Sequence, residues 1–299
     1  MPLPRPWAIL AVCLVVITAL FGAPADHSPA LQAVIATAAL VAGGVLTWLA
    51  GARVVVRRDA GDHARQRAAS AALLVAPFIL FGLAPGMGPP SDEPTQDNQL
   101  RFLLLAIDPM LVCAGLLLLK EALAGAGERF LAPMGLAAIL LATPLYIAFA
   151  LIQRVDYVAL ALNWTWASTV SGRLHELTPL DAFGMAALFF ASALTYVATV
   201  AYAASLARAG WLGRRAALVL QLICCLGLAF LVARGFAYPN PHVALSHWIT
   251  VPGFVAGIPA VPWMPLCAIG VMLLRRTGRE PATASGELDA PARRSVRQA

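Results

Sequence analysis

The chain has 299 residues, of which 60% are hydrophobic and only 12% are charged, and its mean hydropathy is +0.78. A soluble globular domain is nearer half apolar and a quarter charged, so this composition excludes a water-soluble domain. It also sets aside disordered, fibrous, disulfide-stapled and nucleic-acid-binding proteins. The sequence therefore predicts an all-α fold, a polytopic bundle of membrane helices whose surroundings are the lipid bilayer.

Eight apolar stretches, separated by short charged loops, make up a predicted transmembrane domain of residues 1–276. The predicted spans are residues 7–22, 31–52, 68–84, 100–119, 130–152, 181–206, 216–233 and 254–274. Stretches of this kind are long enough to cross the hydrocarbon core as helices, with some tilt or shortening. Residues 277–299 are rich in Ser, Pro, Ala and Arg, and they are predicted to form a disordered cytoplasmic tail.

The first apolar stretch has two interpretations. It follows Arg5 and ends in Ala23-Pro24-Ala25, which fits the small-x-small pattern of a signal-peptidase site. Because a proline stands between the two alanines, we favour an uncleaved first span over a cleaved signal peptide. Both interpretations place the following residues on the outer side.

Two other segments are interpreted as parts of the loops. Residues 53–67, with five arginines, are predicted to form an inner loop. Residues 153–179 are too polar for a span, and we predict a short helix in the outer interface, where Tyr157, Trp164 and Trp166 suit the headgroup level.

The basic residues alternate between the loops in a way that favours one orientation. If the N-terminus is inside, 17 of the 21 Lys and Arg residues fall on the inner side, and the four others are Arg101, Arg154, Arg173 and Arg234. Basic loops are retained in the cytoplasm, so this bias predicts eight spans with both termini inside. Heavy use of Ala and Arg with a single Lys is typical of a GC-rich bacterium, which makes the cell inner membrane the expected location.

This topology predicts the outcome of reporter fusions. Fusions at Arg65 and Gly210 should report the cytoplasm, whereas fusions at Thr95, Arg173 and Asn240 should report the outer side. The measurement is the ratio of alkaline phosphatase to green fluorescent protein activity at each position. A single position with inverted polarity would break the eight-span topology.

An acidic residue followed by a proline lies inside the fourth predicted span. Asp108 comes eight residues after Leu100, roughly 12 Å below the outer end at 1.5 Å per residue. A carboxylate at such a depth costs on the order of 3 kcal/mol and faces protein or water. Pro109 removes the helix hydrogen bond to the Leu105 carbonyl and predicts a kink beside the acid. The pair is a candidate site for a proton, a cation or a polar group, and the alternative is a protonated or hydrogen-bonded structural Asp at the kink.

Histidines and acids collect on the predicted outer side. The candidates are His175, Glu176 and Asp181 before the sixth span and His242 and His247 before the eighth. Imidazole and carboxylate groups can bind zinc or act as a general acid–base pair. The spacing of five between His242 and His247 does not put them on one helix face. The alternative is a set of separate, solvated loop side chains.

The start of the eighth predicted span is rich in helix breakers. Residues 251–265 contain Pro252, Pro259, Pro262 and Pro265 together with two glycines, so a straight helix is not expected. Broken backbone at membrane depth requires protein or a water-lined cavity to satisfy it, as in many transporters. The alternative is a kinked last span that packs on its neighbours.

Three functional hypotheses remain open. The first is a non-enzymatic protein that binds or conducts a small polar or amphiphilic molecule in a cavity lined by Asp108 and the proline-broken segment. The second is a membrane enzyme with an outward-facing His/acid site, with or without a metal. The third is a structural partner in a homo-oligomer or membrane complex. No motif for phosphate, haem, retinal or serine hydrolase chemistry is present, so no cofactor is predicted.

Overall fold

All regular secondary structure in the described part of the chain is helical. The computed structural model describes residues 29–80, 96–161, 179–235 and 247–279. The helices are α1 (Pro29–Ala50), α2 (Asp62–Leu80), α3 (Gln96–Gly125), α4 (Leu131–Ala161), α5 (Pro179–Arg208), α6 (Arg214–Arg234), α7 (His247–Gly257) and α8 (Ala260–Thr277), and a 3-10 turn spans Ala52–Val56. The all-α prediction is confirmed for these residues.

Several of these helices are long and apolar enough to cross a membrane. Four meet that condition alone: Leu100–Gly125, Leu131–Arg154, Ala182–Arg208 and Arg214–Arg234. Val251–Gly257 and Ala260–Thr277 form a fifth candidate as a pair bent by 62°. The chain is therefore a multi-pass membrane protein with four to five candidate spans in its described part. The first predicted span lies outside the described residues, and the number eight and the orientation stay predictions.

The predicted inner loop of residues 53–67 is wrong in part. A 3-10 turn occupies Ala52–Val56, and α2 begins at Asp62, before the predicted third span at residue 68. An acidic side chain in the first turn favours a helix start, and no Gly or Pro interrupts the chain from there to residue 76. The second predicted span corresponds to α1, whose apolar part, Leu40–Ala50, is short.

The predicted interface helix within residues 153–179 is also wrong where it is described. Helix α4 continues without interruption from the membrane segment to Ala161. The hydropathy falls after residue 152, but there is no Gly or Pro between residues 145 and 161 to end the helix. Hydropathy reports where lipid contact ends, whereas helix breakers report where the helix ends. Residues 162–178 lie outside the described part.

Helix α8 lies at the centre of the bundle. It contacts α1, α2, α5, α6 and α7, and Trp263, Leu266, Ile269 and Leu273 are completely buried along its length. By contrast, the side chains of α6 at residues 218, 219, 222, 223 and 226 are at least half exposed, all of them apolar. Such a face is suited to lipid contact. The last helix of the described part, α8, is therefore surrounded by other helices.

Two glycines allow α2 to pack closely between α3 and α8. A Cβ atom on Gly270 of α8 would lie 2.8 Å from the Ala71 carbonyl oxygen, and one on Gly115 of α3 would lie 3.1 Å from the Ser70 carbonyl oxygen. Small residues permit this approach of helix backbones in membranes, where dispersion contacts hold helices together. Helix α3, which carries Asp108, packs on α2 and on α4.

One carboxylate joins the ends of three helices. Glu128 Oε1 accepts hydrogen bonds from the backbone N–H groups of Phe130 (3.0 Å) and Leu131 (2.9 Å) at the start of α4. Its Oε2 lies 3.0 Å from Nε of Arg208 at the end of α5, and its own N–H donates to the Leu123 carbonyl of α3. The Leu131 and Phe130 N–H groups and the Arg208 charge lower the pKa of Glu128 below its usual value of 4.5.

We expect Glu128→Ala to lower the free energy of unfolding by about 1–2 kcal/mol, because it removes the cap of α4. Since the folded-state pKa lies below the unfolded one, this stabilisation is present above pH 4.5 and is lost as the pH falls through the folded value. The measurement is unfolding in mixed SDS micelles as a function of pH. Glu121→Gln is the matched control, because the exposed Glu121–Lys120 pair is worth little. Equal effects of the two substitutions would contradict the capping role.

Candidate functional site

Asp108 is completely buried within α3. Neither Oδ1 nor Oδ2 accepts a hydrogen bond from a described residue. A buried polar group without a partner costs several kcal/mol, and a buried charge costs far more. The arrangement therefore requires a proton, a bound molecule or both at this carboxyl group.

The residue after Asp108 leaves a second group without its usual partner. Helix α3 runs continuously from Gln96 to Gly125 with Pro109 inside it. Proline has no N–H, so the Leu105 carbonyl receives no helix hydrogen bond from position 109. An acceptor carbonyl and a carboxyl group consequently lie one turn apart in the same helix.

A buried group of hydroxyls lies between α4 and α5. Tyr146 donates to Ser192 Oγ at 3.5 Å, and the Thr195 hydroxyl lies 3.3 Å from Tyr146 Oη while donating to the Ala191 carbonyl. Tyr146 is 1% exposed, and Ser192 and Thr195 are completely buried. This hydroxyl cluster (Tyr146, Ser192 and Thr195) puts polar atoms inside the bundle at membrane depth.

The hydroxyl cluster and Asp108 lie at similar depths. The rings of Phe102 in α3 and Phe149 in α4 are 6.5 Å apart, which fixes the level at which these antiparallel helices meet. Asp108 lies six residues beyond Phe102 on α3, and Thr143 lies six residues from Phe149 in the same direction on α4. Tyr146 is one turn from Thr143. Equal rise per residue therefore puts Asp108 near the level of Thr143 and Tyr146.

The break predicted in residues 251–265 is found at one of the four prolines. Helix α7 ends at Gly257 and α8 begins at Ala260, with Pro259 between them and an angle of 62°. Pro262 lies in the first turn of α8, where its missing N–H has no helix partner to lose. Pro252 and Pro265 lie inside helices, and the prediction that this segment does not form one straight helix is confirmed by the bend at Pro259.

Asp108 and the proline-broken segment lie on helices that make little contact with each other. Helix α3 packs on α2 and α4 and makes at most marginal contact with α8 in the described part of the chain. Tyr146 in α4 contacts Trp263 in α8 edge to face, at 5.1 Å between ring centroids. The cavity predicted to be lined by Asp108 and the broken segment together stays a prediction.

A buried arginine packs next to the break. Arg234, at the end of α6, is 5% exposed. A Cβ on Gly253 would lie 2.7 Å from Arg234 Cβ, and one on Gly257 would lie 2.8 Å from Arg234 Nη1. The Gly-x-x-x-Gly spacing of these two residues favours close helix packing, so it is the sequence signal from which this contact could have been predicted. Arg234 was predicted only as an outer loop cation.

Arg67, which was predicted to lie in an inner loop, is also buried, at the end of the bundle opposite to Arg234. Arg67 is 7% exposed in α2, where its Nε donates to Thr277 Oγ1 at 2.9 Å and its guanidinium lies 5.0 Å from the Trp211 ring centroid. Arginine stacks on aromatic rings as well as forming hydrogen bonds. Nothing in the local sequence distinguishes this residue from its exposed neighbours.

The predicted outer His/acid site stays a prediction. His175, Glu176 and His242 lie outside the described residues, while Asp181 and His247 lie in the first turns of α5 and α7. Among the residues that are described, no group of three or more His, Cys, Asp or Glu side chains could hold a metal ion.

Comparison with known proteins adds no relative from which to assign the site: no family model, curated protein or solved structure matches this chain.

Proposed function

We propose that this protein binds or conducts a small polar or amphiphilic molecule within its helix bundle, and that Asp108 contacts this molecule. The observation that supports the proposal is the completely buried carboxyl group, whose two oxygens accept no hydrogen bond from a described residue. Ionisable residues inside membrane bundles are costly to keep, and they commonly mark binding or conduction pathways.

Two neighbouring features fit such a role. The hydroxyl cluster of Tyr146, Ser192 and Thr195 supplies hydrogen-bonding groups near the level of Asp108. Pro109 withholds the usual helix N–H from the Leu105 carbonyl, so the acid has an acceptor within one turn. Polar groups placed in an otherwise apolar interior are the usual composition of a small-molecule site.

The proposal includes the cellular setting. The heavy use of Ala and Arg with a single Lys favours the inner membrane of a bacterium, and the excess of basic residues on one side favours both termini in the cytoplasm. The apolar, exposed face of α6 offers a surface for lipid, and a homo-oligomer or membrane complex is compatible with the same face.

The proposal is tested by native mass spectrometry of the protein purified in a mild detergent. We expect a small-molecule or lipid adduct on the wild-type protein that falls at least tenfold in Asp108→Leu, because leucine can neither donate nor accept a hydrogen bond, and one lost hydrogen bond of about 1.4 kcal/mol corresponds to a tenfold loss. Asp108→Asn should keep most of the adduct, because its amide retains an acceptor oxygen and N–H donors in the same space.

Cys225→Ser is the matched control, because Cys225 lies exposed on α6 away from the proposed site. It should leave the adduct unchanged. Equal adduct levels in wild type and Asp108→Leu would remove Asp108 from the site and the main physical support for the proposal.

A further inference from the structure

We infer that Asp108 is a neutral carboxylic acid in the resting protein, that its O–H donates to the Leu105 carbonyl, and that the site consequently accepts uncharged hydrogen-bonding molecules in preference to cations. The last step rests on the proposed function, whereas the first two stand on the geometry of α3. The inference starts from two acceptor groups that lack donors one turn apart.

Among the described residues, no cation lies against the carboxyl group. Helix α2 carries its described titratable groups, residues 62, 63, 65 and 67, at the end away from the level of Asp108. On α4 the nearest such groups are Tyr146, whose hydroxyl contacts α5, and Arg154 near the opposite end. On α3 itself, Arg101 is two turns away, roughly 10 Å along the axis, and the Asp108 oxygens accept no hydrogen bond from it.

A completely buried carboxylate without such a partner is far more costly than the neutral acid. The neutral acid carries one O–H donor, which itself needs an acceptor. In a helix the side chain leans toward the preceding turn, so the group three residues earlier lies within its reach. For Asp108 this is the Leu105 carbonyl, the one that Pro109 deprives of its N–H.

The protein uses the same kind of bond elsewhere in its helices. The hydroxyls of Thr143, Thr195, Thr199 and Thr277 each donate to a carbonyl four residues earlier, at 2.8–2.9 Å. Short polar side chains in this bundle thus satisfy themselves on the preceding turn. Asp108 differs in one respect, since the carbonyl it meets has no competing N–H donor.

This state of the acid determines the class of ligand. A neutral acid presents an acceptor oxygen, and the hydroxyl cluster on α4 and α5 presents further donors and acceptors. An organic cation would require Asp108 to lose its proton to provide a counter-charge. An uncharged alcohol, amide or polar lipid headgroup requires no such change.

The inference is tested by infrared spectroscopy of the purified protein in lipid nanodiscs at neutral pH. The carboxylic acid C=O band should be present in wild type and lost in Asp108→Asn. It should persist in Glu121→Gln, because Glu121 is an exposed acid paired with Lys120. A spectrum with no acid band, or one that Asp108→Asn leaves unchanged, overturns the inference.

Two further measurements test the hydrogen bond to the Leu105 carbonyl and the access of small molecules to Asp108 independently. Pro109→Ala restores an N–H to the Leu105 carbonyl and should shift the acid C=O band to higher frequency. Pro144→Ala on α4 is the control and should leave the band in place. An unshifted band in Pro109→Ala overturns the Leu105 carbonyl as the acceptor. Transfer into D2O should shift the band if small polar molecules reach Asp108. If the band is present and shifts in Pro109→Ala but does not shift in D2O, the neutral acid is supported. The same result counts against the proposed function, because small polar molecules then do not reach Asp108.

Discussion

Asp108→Leu should lower the free energy of unfolding by about 1–3 kcal/mol, because it leaves the Leu105 carbonyl buried without a donor. Asp108→Asn should cost less than about 1 kcal/mol, since the amide N–H can replace the acid O–H. The effect of Asp108→Leu should shrink by about 1 kcal/mol when Pro109→Ala is also present, because the alanine N–H then satisfies the carbonyl. Unfolding in mixed SDS micelles measures all three values.

This cycle separates a local hydrogen bond from a general effect of the leucine side chain. If Asp108→Leu costs the same in both backgrounds, the acid does not serve the Leu105 carbonyl. Pro144→Ala provides the control background, because Pro144 lies on α4 and removes no N–H near Asp108. In that background the cost of Asp108→Leu should remain at its full value.

Gly51→Ala should lower the free energy of unfolding by about 2–4 kcal/mol, through backbone strain and overpacking together. Gly51 has a φ of 153°, and a Cβ there would lie 2.0 Å from the Leu274 carbonyl oxygen. A carbonyl fixed inside α8 cannot move aside as a flexible side chain would. The measurement is the free energy of unfolding in mixed SDS micelles.

Two glycines provide matched controls for the Gly51 prediction. Gly127 has a φ of 87° but no atom within 4 Å of an added Cβ, so Gly127→Ala should cost only the conformational strain, about 1–2 kcal/mol. Gly44 lies inside α1 with open space around it, so Gly44→Ala should stabilise by about 1 kcal/mol. If Gly51→Ala costs no more than Gly127→Ala, the close contact of Gly51 with the Leu274 carbonyl of α8 is contradicted.

Composition and hydropathy were sufficient for the class of fold, because a membrane helix must bury its backbone polar groups within itself wherever it crosses lipid. The apolar runs now in α3, α4, α5 and α6 were recognised on that basis. The break near Pro259 was also predictable, since a proline cluster cannot form one straight helix. Helix ends were not, because α2 and α4 continue into polar residues where hydropathy falls but no breaker stands.

The sequence by itself determined that the helices are apolar, that one carboxyl group lies inside a span, and that a proline follows it. Only the tertiary structure decided that α8 is the central helix, that Arg67 and Arg234 are buried, and that α3, which carries Asp108, packs on α2 and α4. Hydropathy is a property of each residue by itself, and the lipid and the protein interior are both apolar, so hydropathy does not distinguish a lipid-facing side chain from a buried one. Which face of a helix meets lipid and which meets another helix is therefore set by packing between segments that are distant in the chain.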